Sequence, residues 1–176
     1  VRTAINMPSL DAQTFQQVKP YLTLGEKLGR LMGQLAPNRN DRVVISFGGK
    51  AGEHPTDPVT RYLLKGFLEH AGGKDVNLVN VLSLAESLGL QVETVTSNED
   101  VDYNEWLHVA VYSNDDKVSA GGTIIGKSHQ PRIVRLNGTP VEIEPKGVIL
   151  LVNNRDRAGI VGELGTLMAK HEVNIA

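Results

Sequence analysis

Apolar residues in the first third of the chain recur at a helical period: Leu24, Leu28, Leu31, Met32 and Leu35 fall on one face. The spacing predicts a helix from Asp11 to Ala36, with Pro20 as the point where it could break. Gly25, Gly29 and Gly33 repeat every fourth residue along it. Each should cost about 1 kcal/mol against alanine in a helix interior, so the stripe predicts that another backbone packs closely there. Glu26, Lys27 and Arg30 exclude the membrane version of that motif. A strand follows over 41–47. A second helix, 58–71, buries Val59, Tyr62, Leu63, Gly66 and Phe67, with Pro58 in its first turn. A third, 78–88, buries Leu78, Leu82, Ala85 and Leu88 and is stopped by Gly89. From residue 107 the pattern turns extended. Strands are expected over 107–112, 117–126, 132–136 and 141–144. The turns between them are Asn114-Asp115-Asp116, Ser128–Pro131 and Asn137–Pro140, and the Asn137-Gly138 pair marks a hairpin. The expectation is an α+β fold, with helices packed on a mostly antiparallel sheet.

The C-terminal stretch reads as a separate element group. Ile149, Leu150, Leu151 and Val152 form a continuous apolar run, as a buried strand would, within a strand over 148–153. A polar elbow follows, then a helix over 160–171 with Ile160, Val161, Leu164, Leu167 and Met168 on one face. A new extended segment, Val173-Asn174-Ile175, starts without a partner after it, so the chain is expected to belong to something larger. In the elbow, Asn154 and Asp156 alternate and would point the same way. Asp156 could cap the helix, and Gly159 would leave the first-turn N–H groups approachable. Such a niche could hold both the carboxylate and the ammonium of a free amino acid. An ordinary capped strand–turn–helix accounts for the same residues.

Residues 154–169, Asn-Arg-Asp-Arg-Ala-Gly-Ile-Val-Gly-Glu-Leu-Gly-Thr-Leu-Met-Ala, with Val173-Asn174-Ile175, resemble the opening half of an ACT domain. That resemblance implies a ferredoxin-like βαββαβ amino-acid sensor whose dimers bind effectors between subunits. Ala158 stands where the family's elbow usually has proline. Ala4-Ile5-Asn6-Met7-Pro8 and Pro20–Leu31 resemble the exit from the nucleotide-binding domain of long-form D-3-phosphoglycerate dehydrogenase. Gly121–Gly126 and Arg132–Gly138 resemble the later part of that family's intervening domain. The implied organisation is an exit segment over 1–6, an intervening, allosteric substrate-binding domain over 7–146, and a truncated ACT domain over 147–176. The implied parent oxidises 3-phosphoglycerate with NAD in the first step of L-serine biosynthesis. In that parent, Asn154, Asp156, Gly159 and Asn174 would bind L-serine, with Asn174 reaching in from a neighbouring subunit of a homo-oligomer. Two other readings remain open: a non-catalytic oligomerisation module, and the related domain of an iron–sulfur L-serine dehydratase.

Composition narrows the chemistry. The net charge of −2 implies no bulk attraction to nucleic acid. The absence of cysteine excludes disulfides, thiolate zinc sites and cysteine-ligated clusters within these 176 residues. No apolar run approaches the roughly 20 residues of a membrane span, and a cytoplasmic location is expected. No two glycines are separated by a single residue, so a Gly-x-Gly-x-x-Gly dinucleotide fingerprint is impossible and no cofactor is expected in this segment. A Walker A loop is not expected either. His54, His70, His108, His129 and His171 lack metal-binding spacing.

One constellation could take a small anion such as phosphate or 3-phosphoglycerate. Lys127, His129, Arg132 and Arg135 lie around a short turn, and Gly48–Gly52 could form a backbone nest carrying Lys50. Strand alternation would put Arg132 and Arg135 on opposite faces. The resemblance makes Arg132 a basic effector position, but the second basic position of that site falls near Glu144, which is acidic here. A solvated basic edge would account for the same residues.

Overall fold

The structure, a computed structural model, describes residues 11–37, 39–72, 75–97, 103–114, 116–155 and 157–174. The chain divides into two compact units, Val1–Pro145 and Lys146–Ala176. The expected exit segment, 1–6, lies outside the described residues, as does Asp156.

In the first unit, α1 (Ala12–Leu35) begins at Asp11, whose carboxylate accepts from the N–H groups of Gln13 and Thr14 at 3.0 and 2.9 Å. Pro20 lies inside α1 and does not end it. The proline lacks one N–H, but tertiary packing outweighs that local cost, since Val18, Tyr21, Leu22 and Leu24 around it are all buried. Next come β1 (Arg42–Gly49), a 3-10 turn (Lys50–Glu53), α2 (Thr56–Gly72) and α3 (Val81–Ser87). Then follow β2 (Gln91–Ser97), β3 (Glu105–Ser113), β4 (Asp116–Ile125), β5 (Gln130–Leu136) and β6 (Thr139–Ile143). α3 is shorter than its sequence pattern suggested. Leu78 precedes it, and Leu88 is 54% exposed instead of buried. Gly89, at φ 72°, ends the helix as expected.

The six strands form one sheet in the order β2-β1-β3-β4-β5-β6. Only β1–β2 is parallel; the other pairs are antiparallel. β2 is the element that periodicity did not reveal. It lies at the sheet edge with most of its residues exposed, so its sequence lacks the apolar alternation of a half-buried strand. The β5–β6 hairpin turns at Asn137 (φ 47°) and Gly138 (φ 81°), with Leu136 paired to Thr139. Two positive φ angles at a two-residue loop match the strand twist, which is why Asn-Gly serves there.

Val43, Ile45, Phe47, Leu107, Val109, Ile124 and Ile133 point from the sheet into one core with α1 and α2. The glycine stripe places the two helices in backbone contact. A Cβ on Gly29 would lie 1.9 Å from the Leu63 carbonyl oxygen, and one on Gly33 would lie 2.6 Å from that of Phe67. Gly66 of α2 returns the contact: its Cβ would sit 2.5 Å from the Glu26 carbonyl oxygen. The solvent side of this seam is tied by charge. Lys65 Nζ lies 2.7 Å from Glu69 and 3.1 Å from Glu26, while Arg30 meets the same two carboxylates at 3.4 and 3.0 Å. The opposite face of the sheet carries none of these helices.

The second unit contains one helix, α4 (Ile160–Lys170). Gly159 is its N-cap at φ 94°, while Asp156, the capping residue expected from the sequence, lies outside the described residues. Its C-terminus closes through Glu172 in the left-handed region (φ 55°). The Glu172 N–H donates to the Ala169 carbonyl at 3.1 Å, and the Val173 N–H to that of Met168 at 3.0 Å. Residues 148–153 form no strand. A ladder needs a neighbour, and within this unit none of the described residues pairs with them; Val148 is fully exposed and Leu150 58% exposed.

Candidate functional site

The basic turn joins β4 to β5. Gly126 (φ 70°) and His129 (φ 52°) take the positive φ values that reverse the chain, and the His129 N–H donates to the Gly126 carbonyl at 3.1 Å. Lys127 and His129 are exposed. Arg132 is the third residue of β5, the strand beyond. Its guanidinium donates to the Pro131 carbonyl at 3.1 Å and lies 3.9 Å from the Glu144 carboxylate. Glu144 therefore partly offsets the charge that an incoming anion would meet.

The expectation that Arg132 and Arg135 face opposite ways fails. Arg132 pairs with Thr123 and Arg135 with Gly121, two residues apart on β4 and hence on one face. The cause is a β-bulge: Ile133 pairs with Gly122, and Val134 is the extra residue. Both arginines lie on the face of the sheet opposite α1 and α2.

Lys50 sits at the same end of the sheet, on the 3-10 turn after Gly49. Its N–H donates to the Asn104 carbonyl at 3.2 Å, so one donor of the expected nest is already used. A Cβ on Gly49 would lie 2.0 Å from that same carbonyl oxygen. β3 and β4 intervene between β1 and β5, which separates Lys50 from Arg132 by three strand spacings, about 14 Å. The turn cluster is thus Lys127, His129 and Arg132, with Lys50 on the far strand. Nearby, the buried Tyr21 hydroxyl donates to the Glu105 carboxylate, and its ring lies 5.3 Å from that of His54. Burial first, then the bond to Glu105 and the charges of Glu105 and Glu53, push the Tyr21 hydroxyl far above its ordinary pKa and keep it a donor. Glu105 also accepts from Thr123 Oγ1 through its carbonyl, at 2.5 Å, and so ties α1, β3 and β4 together at this end.

The stretch Gly121-Gly122-Thr123-Ile124-Ile125-Gly126-Lys127-Ser128 does carry Walker A spacing, contrary to expectation from the sequence. Its geometry is not that of a phosphate loop. Gly121 to Ile125 are paired strand, and β5 follows where a helix would have to start. Among the described residues no group of three His, Cys, Asp or Glu side chains could hold a metal ion, and no helix is long and apolar enough to cross a membrane.

A second concavity was not anticipated. Trp106, His108, Lys117, Ser119, Arg135 and Asn137 are among the residues lining a depression of about 580 Å³ on the face opposite α1 and α2. Its sequence signal was an alternation of small or hydroxyl residues, Ser119-x-Gly121-x-Thr123, opposite Trp106-x-His108.

In the second unit, Asn154 and Asn174 are both exposed. Gly159 stands at the start of α4 and Asn174 beyond its end. The helix between them has 11 residues, about 16 Å.

Residues 17–137 match the family model of the D-3-phosphoglycerate dehydrogenase intervening domain. The chain belongs to that family. Over 176 residues it is 32% identical to the D-3-phosphoglycerate dehydrogenase of Archaeoglobus fulgidus, covering 100% of this chain and 33% of the relative. Against the enzyme of Synechocystis the identity is 32%, over 99% of this chain and 32% of the relative. Against that of Bacillus subtilis it is 28%, over 100% of this chain and 33% of the relative. This intervening-domain chain therefore spans about a third of the length of these relatives.

Proposed function

We propose that this chain is the regulatory segment of a D-3-phosphoglycerate dehydrogenase, which oxidises 3-phosphoglycerate with NAD in the first step of L-serine biosynthesis. Similarity along the whole chain to enzymes of that name, together with the intervening-domain match, carries the reading. It favours the dehydrogenase over the serine dehydratase. The segment holds no dinucleotide fingerprint, so hydride transfer belongs to another part of the protein.

Within the segment, the first unit takes an anionic effector, 3-phosphoglycerate or phosphate, at Lys127, His129 and Arg132. The bulge supports this assignment, because it adds Arg135 to the same face. Lys50 contributes long-range attraction from the neighbouring end of β1. The second unit is the opening half of an ACT domain in which Asn154, Asp156 and Gly159 hold L-serine together with Asn174 of another copy. The helix length between Gly159 and Asn174 supports a site shared between two copies of a homo-oligomer.

The test is thermal melting of the chain with 3-phosphoglycerate. Ligand at about 100 times its dissociation constant contributes roughly 2.7 kcal/mol, or about 5–10 °C for a chain of this size. Arg132→Ala should remove that shift. A full shift in the variant would leave the turn as a solvated edge.

A further inference from the structure

The border strand β2 is an open edge of a kind that folded sheets normally blunt. We infer that it is a docking surface for a second copy of this chain, whose own β2 pairs with it antiparallel about a two-fold axis at Thr94.

The Gln91 N–H donates to the Asp41 carbonyl at 2.9 Å, and Gln91 pairs with Arg42 in the parallel ladder. Alternation along the strand then turns the backbone groups of Gln91, Glu93 and Val95 toward β1, and those of Val92, Thr94 and Thr96 outward. Among the described residues no strand pairs with that outer side. The next strand, β3, lies on the far side of β1, so the chain leaves β2 away from its open side. The other border, β6, is blunted: it carries Pro140 and Glu142, and its ladder shifts register between Ile133 and Arg135. β2, Gln-Val-Glu-Thr-Val-Thr-Ser, has neither proline nor lysine. Its one charge, Glu93, is met by Arg42 at 3.4 Å. Val95 is 44% exposed, and a shallow apolar groove lined by Leu82, Ala85, Leu90 and Val92 opens beside the start of the strand.

Two-fold symmetry restricts the register, because outward groups must meet outward groups. An axis at Glu93 would set two carboxylates directly opposite each other, which is destabilising. An axis at Thr94 pairs the whole strand, Gln91 to Ser97. It opposes Val92 to Thr96, Glu93 to Val95, and Thr94 to its own copy. No other centre engages as much of the strand. The outward N–H and C=O groups of Val92, Thr94 and Thr96 all find partners, and no like charges meet. Glu99, Asp100 and Asp102, which follow β2 in sequence, fall at opposite ends of the paired strands. β2 is therefore complementary to itself, which favours a second copy over a strand of unrelated sequence.

The chain has no cysteine, so a Thr94→Cys variant carries a single thiol, at an exposed position. Hydrogen-bonded antiparallel partners have Cα atoms about 5.5 Å apart, within reach of a disulfide. Under mild oxidation this variant of the whole chain should form a disulfide-linked dimer at least tenfold faster than Thr23→Cys, whose thiol would stand at an exposed position on α1. Thr94→Lys, which sets two ammonium groups opposite each other, should lower the sedimenting mass below that of the parent. Thr94→Ser should leave that mass unchanged. The inference is overturned if Thr94→Cys cross-links no faster than Thr23→Cys. It is overturned equally if Thr94→Lys sediments as the parent does, the result expected if copies associate through residues 146–176 alone.

Discussion

Replacing Gly29 by alanine tests the helix seam on which the first unit is built. In an isolated helix the change would stabilise by about 1 kcal/mol. Here the new methyl would start 1.9 Å from the Leu63 carbonyl oxygen, 2.8 Å from its carbon and 3.0 Å from the Phe67 nitrogen. All three are backbone atoms, so no side-chain rotation can relieve the overlap. Reaching an ordinary contact of about 3.5 Å requires α1 and α2 to part by roughly 1.5 Å. That would loosen Leu28, Met32, Leu63 and Phe67, all of which are at most 2% exposed. Overpacking of this kind costs about 1–3 kcal/mol and occasionally more, and rigid backbone puts this case at the upper end. After subtracting the propensity gain, a net loss of about 2 kcal/mol remains, equivalent to a drop of roughly 4–8 °C in melting temperature. Gly165→Ala is the control. It lies in the interior of α4 with nothing within 4 Å of a Cβ, so it should be neutral or raise helicity. Circular-dichroism melts of the two variants decide the matter. A Gly29→Ala chain as stable as its parent would refute the close-packed seam.

Acid should act on the same seam through charge. The bond from Lys65 first, with the charges of Lys65 and Arg30, holds the Glu69 carboxylate below its usual 4.5. Its folded-state pKa is depressed, so its stabilisation is present above about pH 4.5 and is lost as pH falls through the folded value. Between pH 5 and about 3, Glu69→Gln should therefore lose less stability than the parent in urea titrations; parallel losses would contradict this. In the second unit, exposed Val148, Leu150, Val152 and Val161 should drive self-association, so sedimentation should give a larger species than a version ending at Lys146. Two monomers would rule that out. Calorimetry should detect no micromolar complex with NAD, and finding one would place cofactor chemistry in this chain.

Legibility followed how locally each feature is determined. α1 and α2 were visible because their apolar stripes and glycine spacing are written within single helices. The Asn137-Gly138 hairpin was visible because a turn chooses its residues on local conformation. β2 escaped because the sheet supplies its pairing and little of its sequence pattern. The run 149–152 misled in the opposite direction, since four apolar residues signal a wish for burial and not the presence of a neighbouring strand. At the candidate site the residue types were readable, but their arrangement was not. One extra residue at Val134 reversed the face of Arg135, and nothing in Arg-Ile-Val-Arg announces a bulge. The depression around Trp106 depends on side chains from β1, β3, β4 and β5 meeting across the sheet, which no single window of sequence contains.

The single parallel pair also bears on the order in which the sheet can assemble and come apart. β3 to β6 are joined by short turns, so each pairs with a neighbour close in sequence and can zip early. β2 must wait. Its partner Arg42 lies 49 residues from Gln91, with α2 and α3 to be placed in between, and loop closure must precede any gain from the ladder. β2 is also an edge with little buried surface, so its release exposes little of the core. The sheet thus has a slow, late-forming border beside a fast-forming meander. Amide protons bonded across β1–β2 should exchange through a local opening of that border, while those across β3–β4 await unfolding of the whole unit.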